Sequence, residues 1–103
     1  MQELEVSFNV RKELWSFVQL DAVRDEMDER WPVGPGAGGD GWSECRYVIS
    51  RPGGDEDILA FVLRRPRPLP EADASATLRQ LEELVKTHFS TGSRLWQATQ
   101  SIV

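Results

Sequence analysis

The chain has 103 residues, 40% hydrophobic and 28% charged, with a net charge of −5. That length suits a single domain, residues 1–103, able to bury roughly 60 to 70% of its unfolded surface, and the composition excludes a disordered chain. The acidic balance argues against a nucleic-acid partner, which wants a basic patch.

Every apolar run is far too short to span a bilayer, and no charged leader precedes an apolar segment. The expected location is therefore cytoplasmic, with no membrane partner. The lone cysteine, Cys45, excludes an internal disulfide and any multi-cysteine metal site. Lys12 and Lys86 are the only lysines and all other basic residues are arginine, which reads as codon usage in a GC-rich bacterial genome.

Residues 3–10 alternate strictly. Leu4, Val6, Phe8 and Val10 fall on one face, and Glu3, Glu5, Ser7 and Asn9 on the other, the pattern of a half-buried strand. From Arg11 to about Trp31 the period changes. Phe17, Leu20, Val23, Met27 and Trp31 recur at three- and four-residue steps, widened early by Leu14, Trp15, Val18 and Ala22. This predicts one helix, ended by Pro32. The competing reading makes Leu14–Leu20 a strand and starts a shorter helix at Asp21, a good N-cap.

Pro32–Gly41 is a glycine-rich connector, and a hairpin follows it. Trp42–Ser50 and Asp57–Arg65 flank Gly53-Gly54, a strong two-residue turn signal. With those glycines central, Ile49 faces Ile58, Tyr47 faces Ala60 and Cys45 faces Val62, all on the core side. The opposite face then pairs Val48 with Leu59, Arg46 with Phe61 and Glu44 with Leu63.

Pro66–Pro70 forms a stiff connector. A second helix is expected from about Asp73 or Ser75 to Ser90, with Leu78, Leu81, Val85 and Phe89 inward and Leu84 and His88 beside them. Thr77 and Gln80 have capping-box spacing, and Gly92 is the natural stop. Leu95–Val103 supplies a last strand, with Trp96, Ala98 and Ile102 on one side. The order strand, helix, strand, strand, helix, strand predicts an α+β chain. Its expected architecture is a ferredoxin-like βαββαβ sandwich, a four-stranded antiparallel sheet with two helices on one face.

The candidate chemistry is sparse. Gly34-Pro35-Gly36-Ala37-Gly38-Gly39 matches the letters of a dinucleotide-binding glycine pattern. That pattern needs a strand before it and a helix after it, and here the context is reversed. Arg64–Pro70 has the look of a proline-rich ligand, but it joins two core elements. Cys45 and His88 are the only candidate nucleophile and base. An inward strand thiol acts as a small hydrophobe, and a histidine near a helix end can satisfy terminal carbonyls. The carboxylates of the first helix, Asp21, Asp25, Asp28 and Glu29, read as a solvated face. Ala60-Phe61-Val62 coincides with three positions of an RNA-stacking strand signature, yet its leading basic residue and glycine are missing.

No catalytic residue, cofactor or metal ligand is assigned, and an enzyme is the less favoured reading. The expected function is a non-enzymatic protein-interaction module, binding a second copy or another protein through the outer sheet face. Its interface residues are Glu44, Arg46, Val48, Leu59, Phe61 and Leu63. The alternative is a small ligand binder or enzyme with a pocket between sheet and helices, lined by Trp15, Tyr47, His88 and Trp96.

Overall fold

The computed structural model describes residues 1–34, 41–89 and 98–103. Strand β1 (Gln2–Arg11) leads through a 3-10 turn at Lys12–Leu14 into helix α1 (Phe17–Arg30). Strands β2 (Glu44–Ser50) and β3 (Glu56–Arg65) form the hairpin. Helix α2 (Glu71–His88) and strand β4 (Thr99–Ile102) follow. The strands make one four-stranded sheet in the order β2-β3-β1-β4, and every neighbouring pair is antiparallel. With two helices beside this sheet, the architecture is α+β.

Helix α1 begins later than the apolar stripe suggests. Ser16 is its N-cap. The Ser16 hydroxyl accepts from the N3 backbone, while the Ser16 N–H donates to Gln19 Oε1 at 2.8 Å. This reciprocal box satisfies two otherwise orphaned donors and fixes the start. Leu14 and Trp15 are left in the connector rather than on the helix. Leu20, Val23, Met27 and Trp31 face inward as the period implies, whereas Phe17 is 52% and Val18 78% exposed. Neither the helix from Arg11 nor a strand over 14–20 forms.

Helix α2 starts at Glu71 directly behind Pro70, not at Asp73 or Ser75. Thr77 lies inside it and donates its hydroxyl proton to the Asp73 carbonyl oxygen. Glu71 and Asp73 in the first turn, with Lys86 and His88 in the last, match the helix dipole at both ends. Strand β3 stops at Arg65, where Pro66 removes a ladder donor. Gly36, Gly38, Gly92, Leu95 and Trp96 lie outside the described residues.

The hairpin register departs from expectation by one residue. Cys45 pairs with Leu63, Arg46 with Val62, Tyr47 with Phe61, Val48 with Ala60 and Ile49 with Leu59. The connecting segment is Arg51–Asp55, an odd number of residues, with Gly53 and Gly54 both at positive φ inside it. A two-residue turn would centre pairing between the glycines. The longer loop centres it on Gly54, and that one-residue change exchanges the faces of β3.

The core explains the outcome. Leu4, Val6 and Phe8 pair with Leu63, Phe61 and Leu59, and these six join Cys45 and the buried residues of both helices in one cluster. Leu59, Phe61 and Leu63 are fully buried, so they do not belong to an outer surface as the sequence reading had them. The two leucines and a phenylalanine fill more volume under the helices than Ile58, Ala60 and Val62 would, and packing selects that phase. Both helices cover this single face.

Phe61→Ala should destabilise the domain by about 3–5 kcal/mol in urea unfolding, the usual result of a large core truncation. Ile58→Ala, on the opposite face, should cost about 1 kcal/mol or less.

Candidate functional site

The helix-free face of the sheet is built from β1 residues Glu3, Glu5, Ser7 and Asn9, β2 residues Glu44, Arg46, Val48 and Ser50, and β3 residues Ile58, Ala60, Val62 and Arg64. Thr99 and Ser101 of β4 continue it across the pairing with Ser7 and Glu5. Glu44, Arg46 and Val48 stand where the sequence placed them. Ile58, Ala60 and Val62 occupy the positions assigned to Leu59, Phe61 and Leu63.

This face has two unlike ends. At one, Arg64 reaches Glu3 Oε2 at 3.3 Å and Glu44 Oε2 at 3.1 Å, and Arg46 pairs with Glu44. These heads are roughly one-third to two-fifths exposed, so the pairs supply position rather than stability. Val62, opposite Glu5 on β1 and Arg46 on β2, is 1% exposed although it belongs to this face. Toward the other end Val48, Ala60 and Ser7 stand in register across three strands, and beyond them Asn9 and Ile58 line a cavity of about 520 Å³ together with the hairpin loop. No aromatic ring stands on this face among the described residues, so it offers no platform for stacked bases.

Sequence reasoning missed a second assembly at the loop end of the sheet. The inner row of β3 begins with a carboxylate, Asp57, only 2% exposed. The Trp15 indole N–H donates to Asp57 Oδ2 at 3.0 Å. Lys12 Nζ stands 3.6 Å from Oδ1, close enough for charge attraction but too far for a hydrogen bond, and Oδ1 has no other partner. Above them Arg51 lies over the Trp15 ring at 5.9 Å, and Phe17 packs edge-on at 5.3 Å. Lys12, Trp15, Ser16, Phe17, Arg51 and Asp57 line a cavity of about 310 Å³. An aspartate within a strand, two positions ahead of Leu59, was the available signal, because aspartate is a poor strand former.

Of the proposed pocket quartet, the three described residues make separate contacts. Trp15 serves Asp57, and the Tyr47 hydroxyl donates to Asp21 Oδ1 at 3.3 Å. His88 Nε2 meets Glu26 Oε1 at 2.9 Å rather than closing helix carbonyls. The His88 carbonyl instead accepts from Gln19 Nε2 at 3.0 Å, tying the start of α1 to the end of α2. Trp96 lies outside the described residues.

The Arg64–Pro70 segment is occupied structurally. Arg65 stacks over Trp42 at 5.0 Å and donates through Nε to the Arg67 carbonyl, while the Leu69 N–H donates to buried Gln2. Its arginines do not reach the acidic helix through these contacts. Among the described residues, no group of three or more His, Cys, Asp and Glu side chains is placed to hold a metal ion. No described helix is long and apolar enough to cross a membrane.

No protein-family model matches the chain, and no curated protein matches it either.

Cys45 sits inward at 6% exposure. Burial, then a hydrogen bond to Asp28 and the repulsion of that carboxylate, push its thiol from the ordinary 9.0 up to about 12, against a smaller opposing pull from Arg24. A thiolate is therefore disfavoured in the fold. Ellman's reagent should label Cys45 only as the domain unfolds. The unfolded thiol loses its proton first, so the contribution is intact below pH 9 and declines as pH rises from 9 toward 12. A Cys45→Ala variant should lack that alkaline component in denaturant titrations at successive pH values.

Proposed function

We propose that the chain is a single-domain, cytoplasmic, non-enzymatic interaction module of bacterial type with a ferredoxin-like βαββαβ sandwich, and that its helix-free sheet face binds a second copy. The element order, the antiparallel pairing and the order β2-β3-β1-β4 support the fold reading. One observation carries the functional reading: both helices pack on one side, and Val48 and Ile58 stand half-buried on the other.

The interface residues are Glu44, Arg46 and Val48 from the expected set, with Ile58, Ala60 and Val62 replacing the three core residues. The short side chains of Val48, Ala60 and Ser7, in register across three strands, suit face-to-face sheet packing at about 10 Å. A two-fold axis uses the same patch twice, and the charged end carries both signs, so a copy meets complementary as well as like charges.

The energetics limit the affinity. Covering Val48 and Ile58 contributes at most roughly 1.5–3 kcal/mol each per copy, whereas Ala60 and Val62 are already shielded. Association costs on the order of 4–15 kcal/mol in lost freedom. Because both side chains are already half-buried, these terms nearly cancel, and the dimer is weak, populated only at high micromolar concentration or above. Against the rival pocket between sheet and helices, the facing side chains pack into one buried cluster among the described residues.

Light scattering across a concentration series should show the mass approaching twice the monomer at high micromolar concentration. Val48→Asp and Ile58→Asp should return it to the monomer while thermal unfolding stays within a few degrees of the parent. A parent that stays monomeric throughout, or variants that dimerise equally well, would overturn this reading.

A further inference from the structure

We propose that the cavity at the loop end of the sheet binds a small zwitterion, specifically an α-amino acid with an apolar side chain. The cavity belongs to the connector, the tip of the hairpin and the first residue of α1, and the dimer face plays no part in the argument.

Three chemistries converge on one small volume. The first is the buried Asp57 carboxylate, whose Oδ2 is held by the Trp15 indole while Oδ1 lacks a hydrogen-bond donor. A buried acceptor left in that state carries a desolvation cost which a donor would remove. Lys12 does not remove it, because its ammonium stops at 3.6 Å and its side chain is 47% exposed. A ligand ammonium at hydrogen-bond distance would replace this loose contact with a charge-assisted one.

The second is the pair of cations. Lys12 and Arg51 both line the cavity, and Arg51 is held over the Trp15 face from the exposed hairpin loop. Among the described lining residues Lys12 and Arg51 stand against the single acid Asp57, so cations outnumber acids along the cavity although the whole chain is acidic. Once a ligand ammonium takes Asp57, Lys12 is released toward a ligand carboxylate, and Arg51 offers a planar fork to the same group. The ligand's two charges thus have separate receptors within one cavity.

The third is the aromatic wall. Trp15 and Phe17 meet edge-on, and Phe17 is 52% exposed. An apolar side chain lying along that wall would shield rings that otherwise face water. Size sets the class. About 310 Å³ lies at the bottom of the range for small-molecule sites, enough for one amino acid and too little for a nucleotide.

The test follows the Trp15 indole N–H resonance during titration of the full chain with three probes: L-phenylalanine, N-acetyl-L-phenylalanine, which lacks the ammonium, and L-phenylalaninamide, which lacks the carboxylate. The free amino acid should shift the resonance saturably, and each analogue should bind about tenfold or more weakly. Arg51→Ala, a change in the exposed loop, should weaken the amino acid and the N-acetyl analogue by a similar factor while leaving the amide unchanged. Asp57→Asn should weaken the amino acid and the amide. Because the analogues probe ammonium recognition without altering the protein, an unfolded Asp57→Asn variant leaves the test intact. No saturable shift up to about 10 mM overturns the proposal. Equal binding of all three probes does so too, since that would be apolar adhesion alone. Preferential binding of the N-acetyl analogue would make this a simple anion site and would equally overturn it.

Discussion

Phe61 sits at the middle of the sheet's buried face, with Val6 across from it on β1 and Tyr47 across from it on β2. Its ring stacks near Phe8 at 6.3 Å and tilts against Phe89 at 6.2 Å, while Phe8 and Phe89 meet edge-on at 5.4 Å. This triangle ties the two central strands to the residue that ends α2. Aromatic pairs at these separations add to the burial of large apolar area, so the triangle is a strong local constraint on which face of β3 turns inward. Everything on the other face is consequent on it. Once Phe61 is inside, alternation sends Ile58, Ala60, Val62 and Arg64 outward, and the helix-free surface carries Val48, Ala60 and Ser7 across its middle and an ionic cluster at one end.

The inner row of β3 is apolar in its middle and ionic at both ends. Asp57 precedes Leu59, Phe61 and Leu63, and Arg65 follows them. Both charged residues are nearly buried, and each has aromatic company: Trp15 donates to Asp57, and Trp42 stacks under Arg65. The two ends are not equivalent. Arg65 also finds the Arg67 carbonyl, whereas Asp57 retains an oxygen without a hydrogen-bond donor. A buried carboxylate oxygen without a hydrogen-bond donor is costly to keep even with Lys12 nearby, and its presence beside a cavity marks that end of the row.

Helix α1 shows how a chain can carry an amphipathic stripe and still leave part of it in water. Its capping box starts it at Phe17, which orients Leu20, Val23 and Met27 onto the sheet and turns Phe17 and Val18 away. Gln19 does two jobs, accepting from Ser16 at the cap and donating to the end of α2. Between the helices, Glu26 with His88 is a partly exposed contact that adds orientation more than stability. The acidic residues of the helix are mostly solvated, with Asp21 and Asp28 turned to Tyr47 and Cys45 of the neighbouring strand.

The sequence alone determined the elements and much of their polarity. Strict alternation marked β1 and its inner face, the proline after Arg65 marked the end of β3, and the apolar steps of α2 marked its buried stripe. These are local patterns, and local chemistry suffices to read them. It did not determine the phase of β3, because both alternating sets of that strand are apolar and a glycine pair permits more than one loop. The choice was made by volume: Leu59, Phe61 and Leu63 fill the space beneath two helices whose positions no local pattern reveals. The cavity at the loop end was hidden for the same reason. Lys12, Trp15, Arg51 and Asp57 lie far apart along the chain, and only the pairing of β1 with β3 and the fold of the connector between β1 and α1 bring them to one place.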